Sequence, residues 1–141
     1  MPGTVPALPA RAARPGKLGG GVLNIETNET AEGYTICRPM GELDAFTVSQ
    51  FRQSLAELAS KPRLVIDMSG VPFIDSAGLG ALIGGIRRAR ELGGDVVVSC
   101  NRPSLVRTLR TTGFDRIVTM TETVEEAKAV FDKLPDGSPQ D

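Results

Sequence analysis

Short, continuously apolar runs that alternate with helix-period segments constrain this chain more than any other feature of its sequence. Leu64-Val65-Ile66 carries no polar residue at alternate positions, so both faces of that strand need a cover. A strand over 95–100 has the same character. Between the two, Leu79, Leu82, Ile83 and Ile86 fall on one stripe of a helix that opens at Ser76 and is stopped by Gly93-Gly94. The remaining elements follow the same alternation. Strands over 22–27 and 34–39 meet at a turn around Glu32-Gly33. Val48, Phe51, Leu55 and Leu58 give an amphipathic helix, opened by Thr47 and Gln50 in the pattern of a capping box and stopped by Lys61-Pro62. A strand over 63–68 follows. Pro103 opens a helix with Leu105, Val106 and Leu109 that Gly113 closes, and a short strand over 117–120 comes next. Thr123 and Glu126 form a second capping box before Val124, Ala127, Val130 and Phe131. Strands separated by helices of this length predict an α/β fold: a mixed, mostly parallel sheet of four to five strands with about four helices.

Composition then removes most catalytic chemistry. The 141 residues contain no His, which excludes a His-based nucleophile relay and any His-ligated metal site. Two cysteines, Cys37 and Cys100, cannot hold zinc alone. No phosphate-binding glycine loop occurs, because the glycine run at 16–21 has no preceding strand. No cofactor is expected. Sixteen Lys and Arg against 17 Asp and Glu give a formal charge of -1, so nothing in the charge balance calls for nucleic acid as a direct partner. No apolar run approaches the ~20 residues of a membrane span.

Residues 1–21 hold four Pro, five Gly, three basic residues and no acid. They bury too little apolar surface to offset their ordering entropy and read as a disordered tail. The acid-free start has the composition of a transit peptide, but its prolines work against the amphipathic helix that such a peptide needs. Residues 135–141 read as a second disordered tail, leaving 22–134 as a single domain.

The segment that carries chemistry is 64–83, LVIDMSGVPFIDSAGLGALI. A buried strand exits through Asp67-Met68-Ser69-Gly70 and meets Asp75-Ser76 at the start of a helix. The plain structural reading makes Ser76 the N-cap and Asp75 a favourable charge at the helix dipole. The functional reading makes Ser76 a phosphoacceptor, at a position where a helix N-terminus favours anions. Gly78, Gly80, Gly84 and Gly85 sharpen the choice. Each costs about 1 kcal/mol against Ala inside a helix, so four of them ask for close packing on the sheet, close approach of another protein, or both.

The Gly41-Glu42-Leu43-Asp44 turn and the segment Asp67-Met68-Ser69-Gly70-Val71-Pro72-Phe73-Ile74-Asp75-Ser76-Ala77-Gly78-Leu79 closely resemble STAS domains, specifically bacterial anti-sigma factor antagonists. The likeness extends over essentially all of 22–134, including the order of elements. It implies a non-enzymatic, cytoplasmic protein that binds an anti-sigma factor of the serine-kinase type and so frees a sigma factor. It further implies that the kinase phosphorylates Ser76, that the complex then dissociates, and that a PPM-type serine phosphatase resets the switch. The partner surface so implied comprises Asp44, Asp75, Ser76, Ala77, Gly78 and Gly80. For Asp44 the alternative is a turn or N-cap carboxylate; for Asp75 the implied role is recognition. Ala77 departs from the family pattern, where a second small polar residue is common, and this leaves one hydroxyl for modification.

Weaker signals have plainer readings. Cys37 and Cys100 sit in apolar strand patterns and read as small buried hydrophobes, with a redox switch as the alternative. Arg87, Arg88 and Arg90 read as a solvated helix face, with contact to an acidic partner second. Two further function classes compete: a STAS accessory subunit of a membrane transport or lipid-trafficking complex, acting without phosphorylation, and a small enzyme or nucleotide-binding protein.

Overall fold

The computed structural model describes residues 23–133, so the tails expected over 1–21 and 135–141 lie outside the described residues. The elements run β1 (Asn24–Glu29), β2 (Thr35–Met40), α1 (Val48–Leu58), β3 (Arg63–Asp67), α2 (Ser76–Glu91), β4 (Asp95–Ser99), α3 (Pro103–Thr111), β5 (Thr119–Thr121) and α4 (Val124–Lys133). A 3-10 turn over Phe114–Arg116 precedes β5. The five strands form one sheet in the order β1-β2-β3-β4-β5. β1 pairs antiparallel to β2, and every later pair is parallel, with Leu64 opposite Val96 and Val98 opposite Met120. This is the mixed α/β sheet that the strand–helix alternation predicts.

Side-chain alternation along the central strands divides the core between the two faces. Cys37, Leu64, Ile66, Val96 and Val98 point to the face covered by α1, α2 and α3. Tyr34, Ile36, Val65 and Val97 point to the face covered by α4 through Ala127 and Phe131. Leu64, Val65 and Ile66 are all buried, as an apolar run covered on both sides must be. At about 1.5–3 kcal/mol for each buried Leu, Ile or Val, these strands anchor the fold. Tyr34 fixes α4 further, its hydroxyl donating to the carboxylate of Asp132.

Local sequence sets the ends of α2. Gly93 takes a φ of 94°, the left-handed conformation that favours glycine. Its amide donates to the carbonyl of Arg90 at 3.0 Å, and that of Gly94 to Ala89 at 3.0 Å, closing the helix in a Schellman motif. The inward face of α2 is rotated from the expected stripe. Gly78, Ala81, Leu82, Ile86 and Ala89 are buried, whereas Leu79 and Ile83 are half-buried. Small residues carry little hydrophobic signal, so their share of the inner face does not register in the periodicity.

Three local expectations need correction. β1 begins and ends two residues later than expected, because pairing with β2 sets its limits and its own residues are mostly exposed. The Thr47–Gln50 capping box does not form. Thr47 is fully buried, and its hydroxyl donates to the carbonyl of Glu42 at 2.8 Å while accepting the amide of Asp44 at 3.1 Å. The strand expected over 117–120 occupies Thr119–Thr121, since the 3-10 turn takes up the chain before it. The second capping box forms in part. Thr123 Oγ1 accepts the Glu126 amide at 3.1 Å, but the Glu126 carboxylate reaches back to the amide of Glu122.

Candidate functional site

At the carboxyl ends of β2 and β3, two loops lie side by side and are bonded to one another. The first, over 41–47, opens at Gly41, whose φ of 127° turns the chain out of β2. The second, over 68–75, leads from β3 into α2. Gly41 N donates to Gly70 O at 3.0 Å, Leu43 N to Phe73 O at 2.9 Å, and Asp75 N to Leu43 O at 3.0 Å. Leu43 and Ile74 thereby form a parallel bridge outside the main sheet.

Asp75 locks this frame to the helix. It is the N-cap of α2, in extended conformation, and its Oδ1 accepts the Gly78 amide at 2.9 Å. Its Oδ2 accepts the Ala45 amide of the other loop at 3.2 Å. The cap is therefore Asp75 and not Ser76, since the bond from Asp75 N to Leu43 O holds residue 75 outside the helical conformation. Ser76 becomes the first helical residue, exposed, and its hydroxyl makes no hydrogen bond to the protein among the described residues.

Gly78 is buried beneath this junction. A Cβ there would stand 2.5 Å from Leu43 O and 2.9 Å from Leu43 Cβ. Only glycine lets the helix approach the loop so closely, so packing accounts for this residue. It does not belong to the exposed surface on which it was expected. Gly85 likewise faces Leu55 of α1, with the Leu55 Cβ 3.0 Å from the place of an added Cβ. Gly80 and Gly84 are different: both are exposed, and a Cβ on either meets nothing within 4 Å. The fold has no use for glycine at these two positions.

The other expected residues gather around Ser76. Asp44 is half-buried, and its Oδ1 accepts the amides of Phe46 at 2.9 Å and Thr47 at 3.2 Å, which makes it the turn carboxylate of its loop. Ala77 is half-buried and Gly80 exposed on the first turns of α2. Sequence reasoning missed two aromatic residues here. Of five phenylalanines, three are buried, while Phe46 on the first loop is 71% exposed and Phe73 on the second 49%. Phe46 lies outside the Val48-Phe51-Leu55-Leu58 stripe, and that displacement was the available signal.

Beneath the second loop lies a buried carboxylate that was also missed. Asp67, the last residue of β3, accepts from Arg38 Nε at 2.8 Å on Oδ2, and from the Ser69 amide at 3.0 Å and Ser99 Oγ at 3.4 Å on Oδ1. Burial pushes its carboxyl up, but the Arg38 and Ser69 hydrogen bonds outweigh burial and hold it below the usual carboxylate range. Arg102 adds a bond to the Ser69 carbonyl at 2.7 Å. The loop that delivers Ser76 is thus held from both ends.

The cysteines are free and buried, as their apolar settings imply, and burial pushes the Cys37 thiol up to about 12. Burial raises the Cys100 thiol as well, and a raised thiol holds less of the reactive thiolate at neutral pH. Arg88 pairs with Glu91 and Arg90 with Asp95, both at 3.7 Å, on a solvated helix face. Among the described residues no group of three His, Cys, Asp or Glu side chains could hold a metal ion. No described helix is long and apolar enough to cross a membrane.

The family model of the STAS domain matches residues 24–127. The chain belongs to the STAS domain family. Among curated proteins, this STAS domain is 30% identical over 99 residues to the anti-sigma F factor antagonist of Paenibacillus polymyxa, covering 68% of this chain and 84% of that one. It is 28% identical over 98 residues to the anti-sigma-B factor antagonist of Listeria monocytogenes, covering 68% and 86%. Among solved structures, an anti-sigma factor antagonist from Mycobacterium paratuberculosis superposes with a TM-score of 0.71 at 25% identity, covering 79% of this chain and 95% of that one.

Proposed function

We propose that this STAS domain is a cytoplasmic anti-sigma factor antagonist that binds an anti-sigma factor of the serine-kinase type and frees a sigma factor. Phosphorylation of Ser76 switches it off, and a PPM-type serine phosphatase restores it. The observation that carries this reading is the exposed hydroxyl of Ser76 at the start of α2, which makes no hydrogen bond among the described residues, beside two loops that are bonded to one another and expose Phe46 and Phe73. A rigid platform with one free hydroxyl suits a substrate and ligand of another protein. The aromatic pair and the bare surface at Gly80 supply apolar contact, with Asp44, Asp75 and Ala77 beside them.

The effect of a phosphate follows from the cap. Asp75 already occupies the Gly78 amide, one of the donors with which this helix end could hold an anion. A phosphoryl group on the exposed Ser76 adds about 1.5–2 negative charges next to that carboxylate. Its desolvation cost then falls on the complex and leaves the fold alone. A coupling of 1–3 kcal/mol, roughly 5–150-fold, is enough to change partners.

The test is incubation with serine-kinase anti-sigma factors and ATP, followed by mapping of the modified residue in the wild type and in Ser76→Ala. Modification of Ser76 alone, lost in Ser76→Ala, is the expected result. Phosphate incorporation that persists in Ser76→Ala places the site elsewhere, and absence of both binding and modification overturns the partner.

A further inference from the structure

A second feature of the carboxyl edge lies two strands away from Ser76, between β4 and β5. The chain leaves β4 for α3 on one face of the sheet and leaves β5 for α4 on the other. The two helices therefore part at this edge and leave a crevice beyond the carboxyl ends of β4 and β5. An open cavity of about 970 Å³ occupies that position, within the size range of small-molecule sites.

The walls differ in chemistry. Arg107 and Arg110, one turn apart on α3, line one side, and Glu122 and Glu126 line the other, with Val106 and Met120 also in the lining. Neither arginine forms an ion pair among the described residues, although two carboxylates border the same space. The acidic wall is fixed by the cap of α4, since Glu126 binds the Glu122 amide and Thr123 binds the Glu126 amide. Opposite charges that share a cavity without closing on each other leave room for a molecule between them.

We propose that this cavity binds an acidic, polyhydroxylated small molecule of the sugar-acid or sugar-phosphate class. Its carboxylate or phosphate pairs with Arg107 and Arg110, its hydroxyls donate to Glu122 and Glu126, and its carbon skeleton lies over Val106 and Met120. The two guanidiniums recognise the shared anionic chemistry, and charge-assisted bonds of this kind are the strong ones. The assignment does not depend on the role of Ser76.

The experiment is a nuclear magnetic resonance titration of the full chain with gluconate, glucose 6-phosphate, glucose and inorganic phosphate, repeated on an Arg107→Ala/Arg110→Ala variant. Both arginines are exposed on a helix where Ala is well tolerated, and unchanged amide shifts in the β2–β3 region verify the variant's fold. Saturable shifts at Asn101, Val106 and Thr121 with gluconate or glucose 6-phosphate, weakened about tenfold or more in the variant, are expected. Which of the two acids binds identifies the anionic group. The proposal is overturned by the absence of saturable shifts, by equal affinity for glucose, by a response to inorganic phosphate alone (an adventitious ion only), or by unchanged affinity in the variant.

Discussion

The inner frame of the site and its outer face are built from the same stretch of chain, yet they differ in almost every respect. Inside, each group is engaged: Gly78 lies against Leu43, Asp75 bridges Gly78 and Ala45, and Asp67 is held by Arg38, Ser69 and Ser99. Outside, the Ser76 hydroxyl makes no hydrogen bond among the described residues, a Cβ on Gly80 or Gly84 would meet nothing within 4 Å, and Phe46 and Phe73 are exposed. The contrast teaches that one helix uses glycine for two purposes. Gly78 and Gly85 are explained by the fold. Gly80 and Gly84 cost helix stability that nothing within the domain returns.

Substitutions separate the two sides. The largest effect on stability is expected at Gly78, because an added methyl must displace backbone rather than a mobile side chain. Gly78→Ala should cost about 2–3 kcal/mol in urea unfolding, and wild-type stability would break the distinction between the two kinds of glycine. Asp67→Asn should cost about 2 kcal/mol near pH 7 through the loss of a charge-assisted bond to Arg38. Its folded carboxyl titrates below the unfolded value of about 3.9, so its contribution is present above that pH and is lost as pH falls through the folded value. The gap between wild type and variant should therefore narrow in acid; a constant gap would mean that the carboxylate charge is not what stabilises the loop.

On the outer face the sign reverses. Gly80→Ala should stabilise the domain by up to about 1 kcal/mol while weakening binding to the proposed anti-sigma partner. A stabilised variant with undiminished affinity would leave Gly80 without a partner role. Phe46→Ala should have the smallest effect on folding, within about 0.5 kcal/mol, because so little of the ring is buried. It should still reduce partner affinity about tenfold or more, as the loss of an aromatic anchor does. Calorimetric melting together with titration of the partner measures both quantities.

How much of this was legible in the sequence depended on whether local pattern or tertiary contact decided each feature. Leu64-Val65-Ile66 and the Gly93-Gly94 stop are local, and the strand and the helix end fall where those residues put them. The cap of α2 is not local. Asp75 and Ser76 are both good N-cap residues, and a bond from a distant loop, Asp75 N to Leu43 O, selects between them. Thr47 was lost to the capping box for a similar reason, since Glu42 and Asp44 claim its hydroxyl. The division of the glycines depends on the rotation of α2, which Gly78, Ala81 and Ala89 help to set without appearing in a hydrophobic pattern. The resemblance of the motif, by contrast, located Ser76 on an accessible surface without any of these contacts.

The central claim is that Ser76 acts on the partner and leaves the fold unchanged. Its most direct test is the affinity of the domain for the proposed anti-sigma partner before and after stoichiometric phosphorylation, with the melting temperature measured on both forms. The account predicts a fall in affinity of about 100-fold, some 2.7 kcal/mol, with little change in melting. Equal affinity of the two forms would contradict it, and so would a loss of affinity accompanied by a large drop in melting temperature.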